Sequence, residues 1–337
     1  MELIITPDNP VPPGGVCSNV RTGDRTILRV ARWHPEGRAR GTVVLAQGRA
    51  EFIEKYFETA GELLARGFAV VTFDWRGQGL SSRAVENPRK GHVDDFVLFE
   101  RDLEAVFMQA VQPFCPAPYF ALAHSTGASI MLQQARRSAS PFARLVLLAP
   151  LVDIRDLRFP QGARLLADFL NVLGLGGAFI PGGGSKSIMA KPFKGNKLTS
   201  DERRYARNAA LLEAAPQLAI GDPTVGWVHA AFRLIDDFAD PDYPARSLPP
   251  ILIIAAGADR IVSTPAIEQF GLRLKAGKVV VIEHARHEIL QESDAIRSQF
   301  WAAFDAFVPG ETAQPRAPAR GGPAREGQDS TRSEGAD

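Results

Sequence analysis

The sequence is poor in cysteine, with two residues, Cys17 and Cys115, in a chain of 337. They are far apart and lack the paired spacing of a zinc site or a redox couple. Two thiols also cannot build the disulfide framework that stabilises many small secreted domains. We therefore expect both thiols to be buried or inert, and the sequence implies no metal site.

An excess of charge of either sign is also missing, because 39 lysines and arginines face 38 aspartates and glutamates. Without a net field, the chain has no general attraction for nucleic acid or for an acidic polymer. We therefore expect no nucleic-acid partner.

Long apolar runs are missing as well. The longest strongly apolar stretches, such as 145–152 and 251–258, fall well short of the roughly 20 residues that span a bilayer, and they predict buried strands instead. Residues 1–15 have neither the basic start nor the continuous apolar stretch of a signal peptide. From these absences we expect a cytoplasmic protein.

What the sequence does contain is an alternation of short apolar runs with helical patterns. Six such runs predict core strands, at 42–46, 69–73, 119–123, 145–148, 251–255 and 279–282. Runs of this kind suit a mostly parallel sheet with helices on both faces, so we expect a doubly wound α/β core. Residues 26–34 alternate as an antiparallel edge or hairpin strand does, which predicts one or two antiparallel strands at the start.

The alternation stops between residues 150 and 249, where no convincing core strand occurs. Helical patterns are present at 163–173, 200–213 and 225–235. This predicts an inserted helical cap (lid), with a mobile loop at 179–194 where prolines, glycines and lysines are mixed.

These patterns divide the chain into four parts. The predicted division is an N-terminal extension at 1–24, an α/β core at 25–151 and 245–309, a helical cap at 152–244 and a tail at 310–337. The tail consists of Pro, Gly, Arg, Glu and Ser with almost nothing apolar, which predicts disorder.

Ser125 lies where a predicted strand runs into a helical pattern, and small residues, Ala123 and Gly127, occupy both of its second neighbours. A nucleophile elbow needs small residues there, because the turn is so tight that larger side chains would collide with neighbouring backbone. The helix behind the serine directs N–H groups and partial positive charge at the site. An ordinary N-cap serine is the alternative, but the strand before it and the helix after it favour a nucleophile.

A serine nucleophile needs a base and an acid that orients the base, and in this fold they follow in the order Ser, acid, His. Asp259 lies in the loop just after the predicted strand 251–255, and His287 lies just beyond the strand 279–282. Because ligands bind at the carboxyl ends of parallel strands, both residues are well placed to act on Ser125.

The other histidines are less well placed to act as the base. His124 adjoins the serine but should point the other way, and His284 continues a strand. His92 either lines the site or ties down a loop, and the structural role is favoured. The rest lie in the opening turn and in the cap, at His34 and His229. Asp259 is likewise preferred over three aspartates of the cap-to-core connection, Asp237, Asp240 and Asp242.

An oxyanion hole in this fold takes one N–H from the residue after the serine, here Thr126, and another from the loop after the first main parallel strand. In that loop Gly48 lets the backbone approach a substrate closely, and Arg49 is the candidate donor. An ordinary strand-to-helix turn remains an alternative for this loop.

Together these segments resemble the bacterial lysophospholipases and the monoacylglycerol lipase-like, serine aminopeptidase-like members of the α/β-hydrolase superfamily. The resemblance covers residues 25–307. It rests on QGRAE at 47–51 followed by Tyr56, FDWRGQGLS at 73–81, GHV at 91–93, AHSTG at 123–127, GAD at 257–259 and HEIL at 287–290. It implies a triad of Ser125, Asp259 and His287, with Arg49 and Thr126 as oxyanion donors.

The sequence departs from most of these relatives at two places, and both variants resemble the lysophospholipase branch. The first motif begins with Gln47 instead of histidine, and the elbow opens with Ala123 instead of glycine. The loop 76–79 looks superficially like a phosphate-binding glycine string, but its spacing fails the dinucleotide pattern, so no cofactor is implied.

The predicted function is that of a serine hydrolase that cleaves a carboxylic ester of a lipid-like substrate, a lysophospholipid or a monoacylglycerol, through an acyl-enzyme. Aminopeptidase, thioesterase and small-molecule esterase activities stay open, because the same triad serves all of them. A non-catalytic member of the fold that binds a hydrophobic ligand is a second alternative. The acyl-chain and head-group preference, the oligomeric state and the role of the tail are not determined by these patterns.

The apolar cap stretch 165–180 is a candidate for contact with a membrane surface, which would make the protein peripheral at the inner face of the membrane. Ordinary packing of a cap helix on the core is the alternative, and it is favoured.

Overall fold

The computed structural model describes residues 2–136, 140–155, 157 and 159–309. Eight strands form one sheet in the order β1-β2-β4-β3-β5-β6-β7-β8. The strands are β1 (Val16–Arg21), β2 (Ile27–Trp33), β3 (Thr42–Ala46), β4 (Ala69–Phe73), β5 (Tyr119–His124), β6 (Phe142–Leu148), β7 (Ile251–Ala256) and β8 (Gly277–Ile282). The pairs β1/β2 and β2/β4 are antiparallel, and the other five pairs are parallel.

The sheet confirms the predicted doubly wound α/β fold with antiparallel N-terminal strands. All six predicted core strands are present, and they differ from the prediction by three residues or fewer at any end. The predicted strand 26–34 is β2. Its partner β1 uses residues 16–21, which lie inside the predicted N-terminal extension 1–24. The extension therefore supplies the edge strand of the sheet.

Both faces of the sheet are buried, which explains why the central strands are continuous apolar runs. In β3 every residue is buried, with Val43 and Leu45 in the core on one face and Val44 and Ala46 in the core on the other. Two helices cover the first face, α1 (Phe57–Ala65) and α8 (Asp294–Phe307). Three cover the second face, α2 (Val97–Val106), α3 (Ser125–Ala135) and α7 (Thr264–Gly271).

Three further helices lie between β6 and β7, in the interval predicted as a cap, and no strand of the sheet falls there within the described residues. They are α4 (Pro160–Val172), α5 (Glu202–Ala214) and α6 (Val225–Ala239). The segment 179–194 contains a 3₁₀ turn at Ile188–Ala190. The boundaries of extension, core and cap stay predictions, and the predicted tail 310–337 lies outside the described residues.

The helix α4 contacts the core cluster through Ala167 and Ala163, while most of its larger apolar residues are exposed. Ala167 is the buried residue of this helix, and Leu165, Phe169 and Val172 are exposed by 69%, 59% and 85%. The reason is that α4 packs against α6, and α6 fills the core position with Trp227 and Phe232. In the described part of the chain, no helix is long and apolar enough to cross a membrane.

A buried ion cluster joins the antiparallel strands to the loops at the carboxyl end of the sheet. Arg29 on β2 is fully buried, and its guanidinium lies 2.7 Å from Glu54 Oε1 and 2.7 Å from Asp74 Oδ2. The carboxylate of Asp74 also accepts the backbone N–H groups of Ile53 at 2.9 Å and Leu80 at 2.8 Å. Since all these donors reach carboxylates, the cluster fixes the loop that follows β3, where the candidate site begins.

Candidate active site

The strand β5 ends at His124, and α3 begins directly at Ser125. Ser125 has a φ of +50°, a left-handed conformation that a residue with a Cβ adopts at a cost in energy. A Cβ on Gly127 would lie 2.4 Å from the carbonyl oxygen of Gln47 and 2.7 Å from that of Ala46. Position 127 therefore requires glycine, and the sharp turn presents the serine side chain at the carboxyl edge of the sheet.

The structure brings Ser125, His287 and Asp259 together. His287 Nε2 lies 3.0 Å from Ser125 Oγ, and His287 Nδ1 lies 2.8 Å from Asp259 Oδ2. All three residues are buried. Asp259 follows β7 and His287 follows β8, so the ends of neighbouring strands position both side chains beside the elbow.

The environment of Asp259 keeps its carboxyl group ionised. Burial alone would raise the pKa of Asp259, but the charge and hydrogen bond of His287 hold it below its ordinary value. The backbone N–H groups of Ile261, at 2.7 Å, and Val262, at 3.0 Å, donate to Asp259 Oδ1 and add to this effect. With Nδ1–H of His287 donated to a carboxylate, Nε2 is left to accept the hydroxyl proton of Ser125.

The loop that follows β3 lies against the start of α3, as the contact of Gly127 with Gln47 indicates. Gly48 N–H donates to the carboxylate of Glu51. Among the described residues the backbone N–H of Arg49 has no acceptor, and that of Thr126, in the first turn of α3, has none within its helix. These are the two N–H groups that the sequence analysis predicted as oxyanion donors, and each is left to donate to a bound oxygen.

Sequence reasoning missed a buried charge network beneath the triad, centred on Glu51. Its carboxylate accepts hydrogen bonds from Tyr56 Oη at 2.7 Å, Lys55 Nζ at 2.8 Å and His124 Nδ1 at 3.1 Å, besides Gly48 N–H. Lys55 also pairs at 2.6 Å with Glu288, the residue after His287. The sequence signals were the motif QGRAE followed by Tyr56, whose charge role was not inferred, and the four-residue spacing of Glu51 and Lys55, which is common on exposed helices.

His124 connects this network to the triad. Its Nε2 donates to the backbone carbonyl oxygen of His287 at 3.0 Å, while Nδ1 faces Glu51. Burial alone would lower the pKa of His124, but Glu51 raises it above the ordinary value. Burial likewise opposes ionisation of Glu51, yet Lys55 and His124 hold the pKa of Glu51 well below its usual range. Both ring nitrogens of His124 face acceptors, the carboxylate of Glu51 and the carbonyl oxygen of His287, and the second contact fixes the backbone of His287.

The remaining candidates lie away from the triad. His92 Nδ1 lies 2.9 Å from Thr224 Oγ1 and His92 Nε2 lies 2.9 Å from Asp94, so this histidine ties a core loop to the start of α6. His229 on α6 pairs with Asp168 on α4, at 2.7 Å. The others are exposed or half-buried: His34, His284, Asp237, Asp240 and Asp242.

Comparison with known proteins shows which family the chain resembles in sequence. Residues 37–294 match the family model described as "Serine aminopeptidase, S33". The chain is 32% identical over 288 residues to the lysophospholipase L2 of Escherichia coli (strain K12), with 82% of each chain covered. It is 29% identical over 290 residues to a probable lysophospholipase L2 of Haemophilus influenzae, covering 86% of this chain and 89% of the relative.

A solved structure of a soluble variant of monoglyceride lipase from Saccharomyces cerevisiae, in complex with a substrate analogue, has the same fold. It superposes with a TM-score of 0.69 at 19% identity, covering 87% of this chain and 96% of that chain. At this identity the similarity establishes the fold alone.

The Glu51 network makes a testable prediction about stability. Replacing Glu51 by glutamine leaves Lys55 and His124 without their shared counter-charge, and we expect the free energy of unfolding at pH 7 to fall by about 3–5 kcal/mol. Because the pKa of Glu51 is lowered in the folded state, its contribution is present above the ordinary glutamate range and is lost as the pH falls. Glu51 also raises the pKa of His124, a contribution that grows as the pH falls toward 5, so the gap between wild type and Glu51→Gln should narrow only below the ordinary glutamate range.

Urea unfolding at pH 7, pH 5 and pH 3 measures this gap, with Glu213→Gln on the exposed surface of α5 as the control. The control should change the free energy of unfolding by less than about 0.5 kcal/mol. A Glu51→Gln variant as stable as wild type at pH 7 contradicts the role assigned to the network.

Proposed function

The chain belongs to the serine aminopeptidase S33 family, and from this membership we propose that it is a serine hydrolase that cleaves a carboxylic ester of a lipid. The favoured substrates are lysophospholipids and monoacylglycerols, in keeping with the names of its relatives. The observation that carries the proposal is the chain of short contacts from Asp259 through His287 to Ser125.

The proposed reaction begins when Ser125 Oγ attacks the ester carbonyl and His287 Nε2 takes its proton. Asp259 holds the imidazole in position and stabilises the positive charge that forms on it. The backbone N–H groups of Arg49 and Thr126 donate to the oxyanion of the tetrahedral intermediate. His287 then returns the proton to the leaving alcohol, and water activated by the same histidine releases the fatty acid from the acyl-enzyme.

The same triad also serves amide and thioester hydrolysis, so the leaving group must be identified by experiment. The family description favours an aminopeptidase as the second candidate. The relatives that align over more than four-fifths of the chain are named lysophospholipases, which supports the lipid ester as the first candidate.

We also propose that the exposed face of α4 contacts the surface of a membrane or micelle that holds the substrate. Its apolar residues and those that follow it are exposed by 47% or more: Leu165, Leu166, Phe169, Val172, Leu173 and Leu175. Contiguous apolar side chains on one helix are unusual on a monomeric surface and are typical of lipid or protein contacts. Lysolipids would then reach the site from the interface without passing through water.

Replacing Ser125 by alanine should abolish ester hydrolysis, because the hydroxyl group that is proposed to form the acyl-enzyme is removed. The rates to compare are those on palmitoyl lysophosphatidylcholine, palmitoylglycerol, palmitoyl-coenzyme A and an amino-acid amide, for wild type and variant side by side. We expect wild type to prefer the two glycerol esters and the variant to lose at least about 10³-fold of that activity.

The fold of Ser125→Ala, checked by circular dichroism, should match wild type. Residual activity near the wild-type rate rules out Ser125 as the nucleophile, and a preference of wild type for the amide supports the aminopeptidase.

The membrane proposal predicts that a Leu165→Ser, Phe169→Ser double variant binds vesicles at least about tenfold more weakly than wild type, because less apolar surface enters the interface. Sedimentation with vesicles of phosphatidylcholine and phosphatidylglycerol measures the partition. Leu272→Ser is the matched control, since Leu272, which directly follows α7, is 85% exposed and lies outside the interval predicted as a cap. Equal binding of the double variant and the control contradicts the proposal.

A further inference from the structure

The side chain of Arg49 crosses from the core to the cap. It starts in the loop that follows β3, one residue after Gly48, and its Nη2 donates to the carbonyl oxygen of Gly221 at 2.9 Å. Its guanidinium carbon lies 5.2 Å from the ring centre of Trp227, on the first turn of α6. The guanidinium of Arg49 is therefore held over the aromatic face of Trp227, where the loop after β3 meets the segment between β6 and β7.

This cation lacks the counter-charge that the buried arginines of the protein have. Arg29, Arg76, Arg204 and Arg297 each pair with two or more carboxylates. Within the described part of the chain, no ion pair joins the Arg49 guanidinium to a carboxylate, and its Nε, shielded from solvent, has no acceptor. Asp222 acts on it from a longer distance, and its own carboxylate accepts Gly184 N–H at 3.0 Å.

Arg49 nevertheless remains charged. Burial lowers the pKa of Arg49 to about 10, which still leaves the guanidinium protonated at neutral pH. A half-buried cation with one hydrogen bond and no paired anion is unfavourable in a protein, and an anionic ligand would relieve it. The planar guanidinium has further N–H donors, and it is suited to bind a phosphate through two of them.

We propose that Arg49 binds the phosphate of a lysophospholipid and so selects phosphate-bearing lipids over neutral glycerides. This inference rests on the proposed function. In a lysophospholipid, the phosphate is separated from the ester carbonyl by the short glycerol backbone. The backbone N–H of Arg49 is the proposed donor to that carbonyl oxygen, so the side chain of the same residue is placed to reach the head group. A monoacylglycerol offers a hydroxyl there, which gains less from a cation.

The test is the ratio of kcat/KM for palmitoyl lysophosphatidylcholine to kcat/KM for palmitoylglycerol in the same mixed micelles. Arg49→Met removes the charge and keeps both the backbone N–H and apolar contact with Trp227, and it should lower this ratio at least about tenfold. Arg49→Lys, which retains the charge without the two-donor fork, should restore part of the ratio. Hydrolysis of palmitoylglycerol by each variant reports whether the loop is intact.

Arg89→Met is the matched control, because Arg89 also tethers the cap loop, through the carbonyl oxygens of Pro216 at 2.7 Å and Ala219 at 3.4 Å. It should leave the ratio unchanged. An unchanged ratio in Arg49→Met, or an equal fall in Arg89→Met, overturns the proposal.

A second experiment asks whether Arg49 binds a lipid phosphate or free phosphate. It measures how strongly inorganic phosphate inhibits the hydrolysis of p-nitrophenyl butyrate by wild type and by Arg49→Met. Inhibition that depends on Arg49 while the lipid ratio stays unchanged identifies a site for the free anion and overturns the proposal. If wild type hydrolyses p-nitrophenyl butyrate but neither lipid, the proposed function itself fails, and the inference falls with it.

Discussion

The geometry of the site depends on the hydrogen bonds and the ion pair that the buried carboxylate of Glu51 makes with its neighbours. This carboxylate holds the loop after β3 through Gly48 N–H and the elbow through His124. Through Lys55 and Glu288 it also holds the loop of His287. Three segments that are distant in sequence therefore meet at one anion. In a low-dielectric interior such a set of charges is stable only when it is fully paired, which makes the arrangement rigid.

The three helices between β6 and β7 are held to the rest of the protein by different interactions. The helix α5 is bound to the core by ion pairs, since Arg204 and Arg207 both reach Glu58 on α1, and Arg297 on α8 reaches the same carboxylate. The three cations lower the pKa of Glu58 to about 2. The helix α6 is attached by aromatic packing, with Trp227 against Phe96. In contrast, α4 rests on α6 and turns its apolar side chains to solvent. The helix α5 is thus fixed to the core by charge, whereas α4 presents an exposed apolar surface.

Sequence reasoning identified the central strands because residues buried on both faces of a parallel sheet form continuous apolar runs. It brought Ser125, Asp259 and His287 into one hypothesis because each follows the end of a strand, and strand ends meet at one edge. The strand β1 gave no such signal, since VCSNVR mixes polar and apolar residues at an edge. The Glu51 network could not be foreseen, because His124 and His287 are 163 residues apart and buried charges follow no period. The exposure of α4 depends on α6 occupying the core beneath it, and the pattern of α4 itself does not contain that information.

The central claim is that Ser125 is a nucleophile activated by His287, and covalent labelling with a fluorophosphonate tests it most directly. Mass spectrometry of the labelled wild-type protein should find one adduct per chain, on the peptide that contains Ser125. The rate of labelling should fall by at least about 10³-fold in His287→Ala, because the serine then has no base. An adduct on another residue, or labelling that is as fast without His287, contradicts the account.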